Sequence, residues 1–400
     1  MVDRPIQLQP TGRSAEFPQP VGLIGAGIGG LTAALALQHF GIPVRVYEQA
    51  NELGEVGAGL SLGPNATRVL MALGIAPALE KVCNRPDRFA GKDYVTGAIR
   101  SESKAQDYLA TYGAPYFQVH RADLHALLIE AVRARDPEAI TLSSELIGFT
   151  SDRAGVDATF AGGRSQRFSA LIGCDGIKST VRRILWDPEP PKYLGFVAYR
   201  GLTEVSALPL GLIAPSSCTF HGPERHFTRY LIRRGAVVNY VAFAERNDWT
   251  DEGWSVPART DEVLETFAGW APEIQLIVRH TMPGRCHKWG LFGRDVLPRW
   301  TAGRVSLLGD AAHPMLPFLG QGASMAIEDA MVLARALTET DTISGALERY
   351  ENARRPRANA VVEQSRAQAA KIHRKPEAGT TVAQTMRADL FAYDALNESI

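Results

Sequence analysis

The chain has 400 residues, 45% of them apolar, and its 43 Lys plus Arg balance its 43 Asp plus Glu to a formal charge of +0. That length suits one large α/β body or two intertwined domains, with ample apolar surface for a core. A neutral balance excludes the basic footprint of a nucleic-acid or anionic-membrane binder, and no apolar run reaches the roughly 18 residues of a membrane-spanning helix.

Residues 1–20 mix Asp3, Arg4, Arg13 and Glu16 with four prolines and lack the apolar stretch of a secretion signal. They are expected to form a flexible leader. The four cysteines, Cys83, Cys174, Cys218 and Cys286, are scattered without a C-x-x-C pair. That usage fits a cytoplasmic protein and speaks against structural zinc or a redox disulfide. No H-E-x-x-H pattern or carboxylate cluster points to a metal.

The first informative stretch runs Val21-Gly-Leu-Ile-Gly25-Ala-Gly27-Ile-Gly-Gly30 and continues into an Ala/Leu-rich helix. An apolar strand feeding G-x-G-x-x-G and a helix offers unpaired N–H groups to a pyrophosphate. In that pattern Gly25 makes the tight turn, Gly27 lets the phosphates approach, and Gly30 brings helix against strand. Pro43 to Glu48 reads as the second strand, with Glu48 at its end, where a carboxylate can take a ribose hydroxyl. This unit binds the ADP half of either FAD or a nicotinamide nucleotide.

Two later segments repeat the theme. Phe168 to Gly176 reads as a buried strand ending in Asp175-Gly176. Gly303 to Asp310 reads as another, opening the loop Ala311 to Gly322 that carries His313, Pro314, Pro317 and Gly320-Gln321-Gly322. A helix follows from Ala323. A strand that delivers Asp310, then a Gly/Pro-rich loop entering a helix N-terminus, can lie against a flat ring. Between them, Gly195–Arg200, His226–Ile232 and Ala236–Phe243 alternate as strands of a mixed or antiparallel sheet. Short helices are expected over Asp261–Phe267 and Pro272–Arg279, and a long C-terminal helix from Ala346, kinked at Pro356.

His226 and Tyr230 fall on one face of their strand, because 226, 228 and 230 share a side. Taken alone, they form either a packed sheet face or a pocket wall. His221, at an odd spacing from His226, falls on the opposite face of a regular strand. His313 reads as a loop-packing residue, and Arg200 as a partner for a substrate carboxylate or for an interdomain acid. Arg121 is a helix-start arginine, and Asp175 a turn former at a strand end, unless a cofactor employs them.

The early G-x-G-x-x-G, the mid-chain Asp-Gly and the late Gly-Asp-Ala-Ala-His-Pro resemble the three fingerprints of the single-component FAD-dependent aromatic hydroxylases. Gly57-Ala-Gly59-Leu-Ser-Leu-Gly-Pro64-Asn65 and His120-Arg121-Ala-Asp123-Leu124 are similar to further family patterns, and the likeness extends from Val21 to Arg357. Within the family, the salicylate hydroxylase, 3-hydroxybenzoate 6-hydroxylase and 6-hydroxynicotinate 3-monooxygenase branch is the best match. The resemblance implies an α/β fold: a doubly wound, Rossmann-like FAD domain from 21–80, 112–185 and 295–345. It also implies an interleaved mixed β-sheet substrate domain from 81–111 and 186–294, and a helical segment over 346–400. Noncovalent FAD would meet Gly25, Gly27 and Gly30 at its pyrophosphate, Glu48 at its ribose, Arg121 and Asp310 along its ribityl chain, and Gly320, Gln321 and Gly322 beside the ring. Asp175 would serve both FAD and a visiting NADH or NADPH, since no second G-x-G-x-x-G supplies a separate nucleotide domain.

The activity implied is a monooxygenation: NAD(P)H and dioxygen hydroxylate a small hydroxylated aromatic acid or hydroxypyridine, through a flavin 4a-hydroperoxide and with or without decarboxylation. His226 would take the ring hydroxyl proton and Tyr230 would hold the ring, the branch having a similar Gly-Pro-x-Arg-His element with a tyrosine four positions on. The enzyme would be a monomer or homodimer. A flavoprotein epoxidase or hydroxylase of a larger secondary metabolite shares every FAD motif and is the alternative. The W-x-W-x-I-P of flavin halogenases and the signature of Baeyer–Villiger enzymes are missing.

Overall fold

The computed structural model describes residues 16–54, 58–104, 108–186, 189–249, 255–372 and 388–400. The leader up to residue 15, Gly57 and residues 373–387 of the tail lie outside that set. Val21–Ile24 is a wholly buried four-residue strand, and apolar on both faces as a parallel sheet requires. It sits in the middle of a five-stranded parallel sheet ordered Val305–Leu307, Ala170–Gly173, Val21–Ile24, Val44–Tyr47, Ile140–Thr141. The helix Ile28–His39 is apolar around its whole circumference. It can be so because helices Gly322–Glu339 and Arg121–Arg135 both pack against it.

The strand expected from Phe168 onward is two strands. Phe168 closes an antiparallel meander with Val156, and Ser169 turns the chain by donating its N–H to Pro20 O before the parallel strand Ala170–Gly173 begins. An eight-stranded sheet forms the second layer, ordered Val256–Pro257, Thr281–Gly293, Lys192–Glu204, Val237–Glu245, Arg225–Ile232, Ser217–Gly222, Arg88–Asp93, Ile99–Lys104. All its pairings are antiparallel except that of Ser217–Gly222 with Arg88–Asp93. Helices Thr260–Thr266 and Pro272–Arg279 cover one face through Val263, Phe267, Ile274 and Ile277. The other face is left to the site.

The C-terminal helix starts three residues earlier than Ala346 and runs over Ile343–Ile372, with Pro356 inside it. The proline removes one i→i−4 hydrogen bond without ending the helix. Ile343, Ala346, Leu347 and Tyr350 are buried from this helix, so its first half belongs to the core of the parallel-sheet layer.

Candidate active site

A single cavity of about 1010 Å³ runs from the start of the Ile28–His39 helix, past the Gly309–Gly322 loop, to the open face of the eight-stranded sheet. At its first end the three glycines divide their work. Gly25 has φ +105°, and a Cβ there would meet Cys174 O at 2.6 Å. Gly30 has no room either, its Cβ falling 2.0 Å from Gly25 O. Both are fixed by the packing of the turn itself and stand behind the cavity wall. Gly27 differs: its backbone is ordinary and extended, φ −74° and ψ −178°, and a Cβ would meet nothing within 4 Å. It lines the cavity with Ile28 and Gly29, so the space before it is room for a ligand. Glu48 accepts the N–H of Ala26 at 2.8 Å through Oε2 and of Ala50 at 2.9 Å through Oε1. Its carboxylate thereby braces the glycine turn.

Arg121 is the first residue of the Arg121–Arg135 helix, positioned by its own N–H on Ala58 O at 2.8 Å, and it lines the cavity. Asp310 opens onto the same space. Burial within the cavity walls pushes its carboxyl up from the ordinary range, while the charges of His313 and Arg121 pull it back. Gly320, at φ +64°, closes the Pro317–Leu319 turn and lines the cavity, as does Gly322 at the start of the Gly322–Glu339 helix. Gln321 points inward: it is 3% exposed and accepts from Asn65 Nδ2 at 3.0 Å. Asp175 is engaged locally, taking Ser179 Oγ at 2.5 Å and the N–H groups of Thr180 at 2.8 Å and Val181 at 3.2 Å. It fastens the first turn of helix Thr180–Leu185, while its neighbours Cys174, Gly176 and Ile177 line the cavity.

Under the loop lies a buried ionic network that the sequence did not announce. His313 Nε2 lies 2.6 Å from Asp329 Oδ2, which also takes the N–H of Gly309 at 3.1 Å. Arg354 bridges Asp329 and Glu328 at 2.7 Å each, and Asn65 donates to Glu328 at 2.6 Å. Burial works to raise the Asp329 carboxyl, but the charges of His313 and Arg354 outweigh it and bring it down to about 2. His313 is therefore a packing residue of the loop, held by Asp329 and facing Trp300 at 5.2 Å.

The far end of the cavity is a grid of side chains in register. One row reads Trp289, Ala198, Phe243, His226, His221, Asp93; the next Arg200, Val241, Thr228, Thr219, Gly91; the third Asn239, Tyr230, Ser217, Phe89. His226, Thr228 and Tyr230 all face the cavity, as their alternate positions require. His226 stacks on Phe243 at 4.4 Å, and Phe318 of the Gly309–Gly322 loop approaches it at 5.4 Å. Tyr230 is 7% exposed, and burial pushes its hydroxyl far above the ordinary phenol range, so it stays a neutral phenol. It is admitted by Gly59, where a Cβ would come 2.7 Å from Tyr230 Cε2.

His221 overturns its expected placement. Residues 222–225 make a hairpin turn, so His221 and His226 sit directly opposite on adjacent strands and share the cavity face. The odd spacing along the sequence misled because it assumed one continuous strand. Arg200 also faces the cavity, its guanidinium 4.6 Å over the Trp289 ring, whereas Tyr199 faces the covering helices and donates to Glu262 at 2.9 Å. Gln118, which donates to Ser217 Oγ at 2.9 Å, and the hydroxyl pair Thr219–Thr228 at 3.0 Å complete the polar lining near Tyr230. Only strand register reveals these.

One cavity thus joins a glycine cradle at one helix N-terminus, a second helix N-terminus beside Asp310, and an aromatic floor carrying a histidine. Residues 19–365 match the model of the FAD binding domain family. The chain belongs to that family. It is 38% identical over 357 residues to a 3-amino-4-hydroxybenzoate 2-monooxygenase of Streptomyces platensis, covering 88% of each chain. It is 36% identical over 323 residues to a 6-hydroxynicotinate 3-monooxygenase of Pseudomonas fluorescens, covering 80% of this chain and 82% of that one. Among solved structures it resembles Klebsiella pneumoniae HpxO complexed with FAD and uric acid, at a TM-score of 0.80 and 26% identity, over 94% of this chain and 93% of that one. As a member of this flavoprotein family the chain uses FAD, and the open space at Gly27, Gly320 and Gly322 fits a long, flat dinucleotide. Among the described residues no helix is long and apolar enough to cross a membrane.

Proposed function

We propose that this FAD-dependent monooxygenase uses NADH or NADPH and dioxygen to hydroxylate a small hydroxylated aromatic acid or hydroxypyridine. The observation that carries the reading is the continuity of the cavity, which sets His226 and Tyr230 on the floor beneath the loop from Asp310 to Gly322. The named relatives act on 3-amino-4-hydroxybenzoate and 6-hydroxynicotinate, each a single ring that carries a hydroxyl para to a carboxylate. Bound and reduced, FAD would supply the electrons that activate dioxygen, one atom of which goes to the ring and the other to water.

The chain's own residues do the rest. Gly27, Ile28 and Gly29 would offer helix N-terminal N–H groups to the pyrophosphate, Glu48 would use its remaining lone pairs for a ribose hydroxyl, and Arg121 and Asp310 would hold the ribityl region. His226 takes the proton of the ring hydroxyl, which makes the ring electron-rich at the carbon attacked. Tyr230 orients that hydroxyl. Phe243 and Phe318 close around the imidazole and exclude water. Arg200, set two residues along from the Ala198 row, supplies a cation for the carboxylate. The four free cysteines suit action in the cytoplasm.

The test is a panel of hydroxybenzoates, aminohydroxybenzoates and hydroxypyridines, scored by hydroxylated product per NAD(P)H consumed with peroxide quantified alongside. Coupled turnover of at least one such compound is expected. NAD(P)H oxidation that yields only peroxide with every member would refute the substrate class.

A further inference from the structure

A base buried in a pocket wall needs a way to lose the proton it takes. His226 is 4% exposed, with Phe243 stacked on one face and Phe318 leaning on the ring. Its side toward the sheet edge is occupied by His221, in direct cross-strand register. The two imidazoles lie 6.3 Å apart at their centroids and are tilted by 27°. Two hydrogen bonds of about 2.9 Å through one water span such a gap. His221, unlike His226, is exposed.

The charged surroundings favour a hand-off in that direction. From the Arg88–Asp93 strand, Asp93 stands next to His221 in the same row. Thr96 and Arg100 hold the Asp93 carboxyl well below its ordinary range, so it stays ionised beside His221. Arg100, on the edge strand, bonds Asp93 Oδ2 at 2.5 Å and balances part of that charge. The Val237–Glu245 strand and the cofactor loop meet the pair through Phe243 and Phe318, which do not ionise. At the hairpin turn Glu224 is exposed, and Arg225 turns to the opposite face to donate to Thr266 O. Two imidazolium ions this close would repel each other, so charge on one ring disfavours charge on the other.

We propose that His221 is the proton outlet of His226: the proton lost by the ring hydroxyl passes from His226 to His221 and from there to bulk water along the outer edge of the sheet. The O–H bond of the substrate breaks as N–H forms on His226. That N–H then breaks as one forms on His221, whose proton is released to solvent. The proposal rests on His226 being the base and assigns a role to the residue beside it.

The test needs no turnover. Oxidised, FAD-loaded protein without NAD(P)H is mixed with 3-amino-4-hydroxybenzoate in weakly buffered solution containing a pH-indicator dye. Stopped flow then times ring deprotonation by ultraviolet absorbance and proton appearance by the dye. In the native protein the two signals should rise together. In His221→Gln proton appearance should slow about tenfold, less than the hundredfold or more that losing a general base costs, and millimolar imidazole should restore it. Release from His221→Gln at the native rate overturns the outlet and leaves the base standing. Slowed release that imidazole does not restore also overturns it, since a packing defect would behave that way. Native-rate ring deprotonation in His226→Ala removes the base, and the outlet falls with it.

Discussion

Gly27 and Gly30 sit three residues apart in one motif, yet the structure separates what they do, and the separation can be measured. At Gly27 the backbone suits any residue and a Cβ enters open space, so Gly27→Val should leave the apoprotein nearly intact, within about 1 kcal/mol for a poorer helix start. Its branched side chain, however, would occupy the cavity where the pyrophosphate must meet the helix N-terminus. A hydrogen bond to a charged group contributes about 1.5–3 kcal/mol. Displacing the phosphates from two N–H groups therefore costs about 3–6 kcal/mol, a loss of roughly two to four decades in FAD affinity. Gly30→Ala should do the reverse. Its methyl would lie 2.0 Å from Gly25 O, a backbone atom that cannot swing away. The turn must shift, which overpacking data place at about 1–3 kcal/mol or more. Calorimetry of both apoproteins, with FAD titration of each, reads the two effects apart. Near-native FAD affinity in Gly27→Val, or an undiminished apo melting temperature in Gly30→Ala, would refute the division of labour.

Other predictions follow from the same geometry. His226→Ala should keep FAD and still oxidise NAD(P)H, but lose about a hundredfold to ten-thousandfold in hydroxylation and yield peroxide instead; native coupling in product per NAD(P)H would end the base assignment. Tyr230→Phe, missing one hydroxyl, should mainly raise KM with partial uncoupling, measured in the same assay. Asp329→Asn leaves His313 without its buried carboxylate and Arg354 with Glu328 alone, and should destabilise by about 3–5 kcal/mol at neutral pH. Because folding lowers the Asp329 carboxyl from 3.8 to about 2, its contribution is full above the ordinary value and fades as pH falls through the folded one. Native and mutant denaturation midpoints should therefore converge between pH 4 and 2, and a gap that stays constant would contradict this. Asp175→Ala should lower thermal stability by about 1–2 kcal/mol through the lost fastening of the Thr180–Leu185 helix. Flavin occupancy and reduction rate are then expected to fall together, and reduction falling alone would identify a separate nucleotide contact.

The fingerprints were legible because each rests on local chemistry. A strand, a glycine turn and a helix start are contiguous in sequence, so Gly27 and Gly322 could be assigned before any fold was known. His226 and Tyr230 were legible as a pair because a strand's alternation is also local. What escaped was whatever depends on another strand or helix. His221 joins His226 only through the hairpin turn, Gly59 meets Tyr230 across two sheets, and Arg354 reaches Asp329 from a different helix. Asp175 and Gln321 lie in segments that line the cavity, but their own side chains turn into the protein and hold up the residues beside them. A motif records position along the chain; it does not record which way a short polar side chain faces.

The strand order of the parallel sheet has a consequence for how the protein comes into being. Val21–Ile24 lies in the centre, but its neighbour Ala170–Gly173 and the outer strand Val305–Leu307 are made much later. The walls of one binding space come from residue 27 and from residue 310, so a growing chain on the ribosome carries the glycine turn long before it has anything to close around. Such distant pairing is slow and leaves apolar strands waiting. Cutting the gene at any single point between residues 27 and 310 would yield two pieces, neither holding a complete cradle. Grafting a new floor onto this scaffold therefore means exchanging internal segments, with both ends of each insertion anchored.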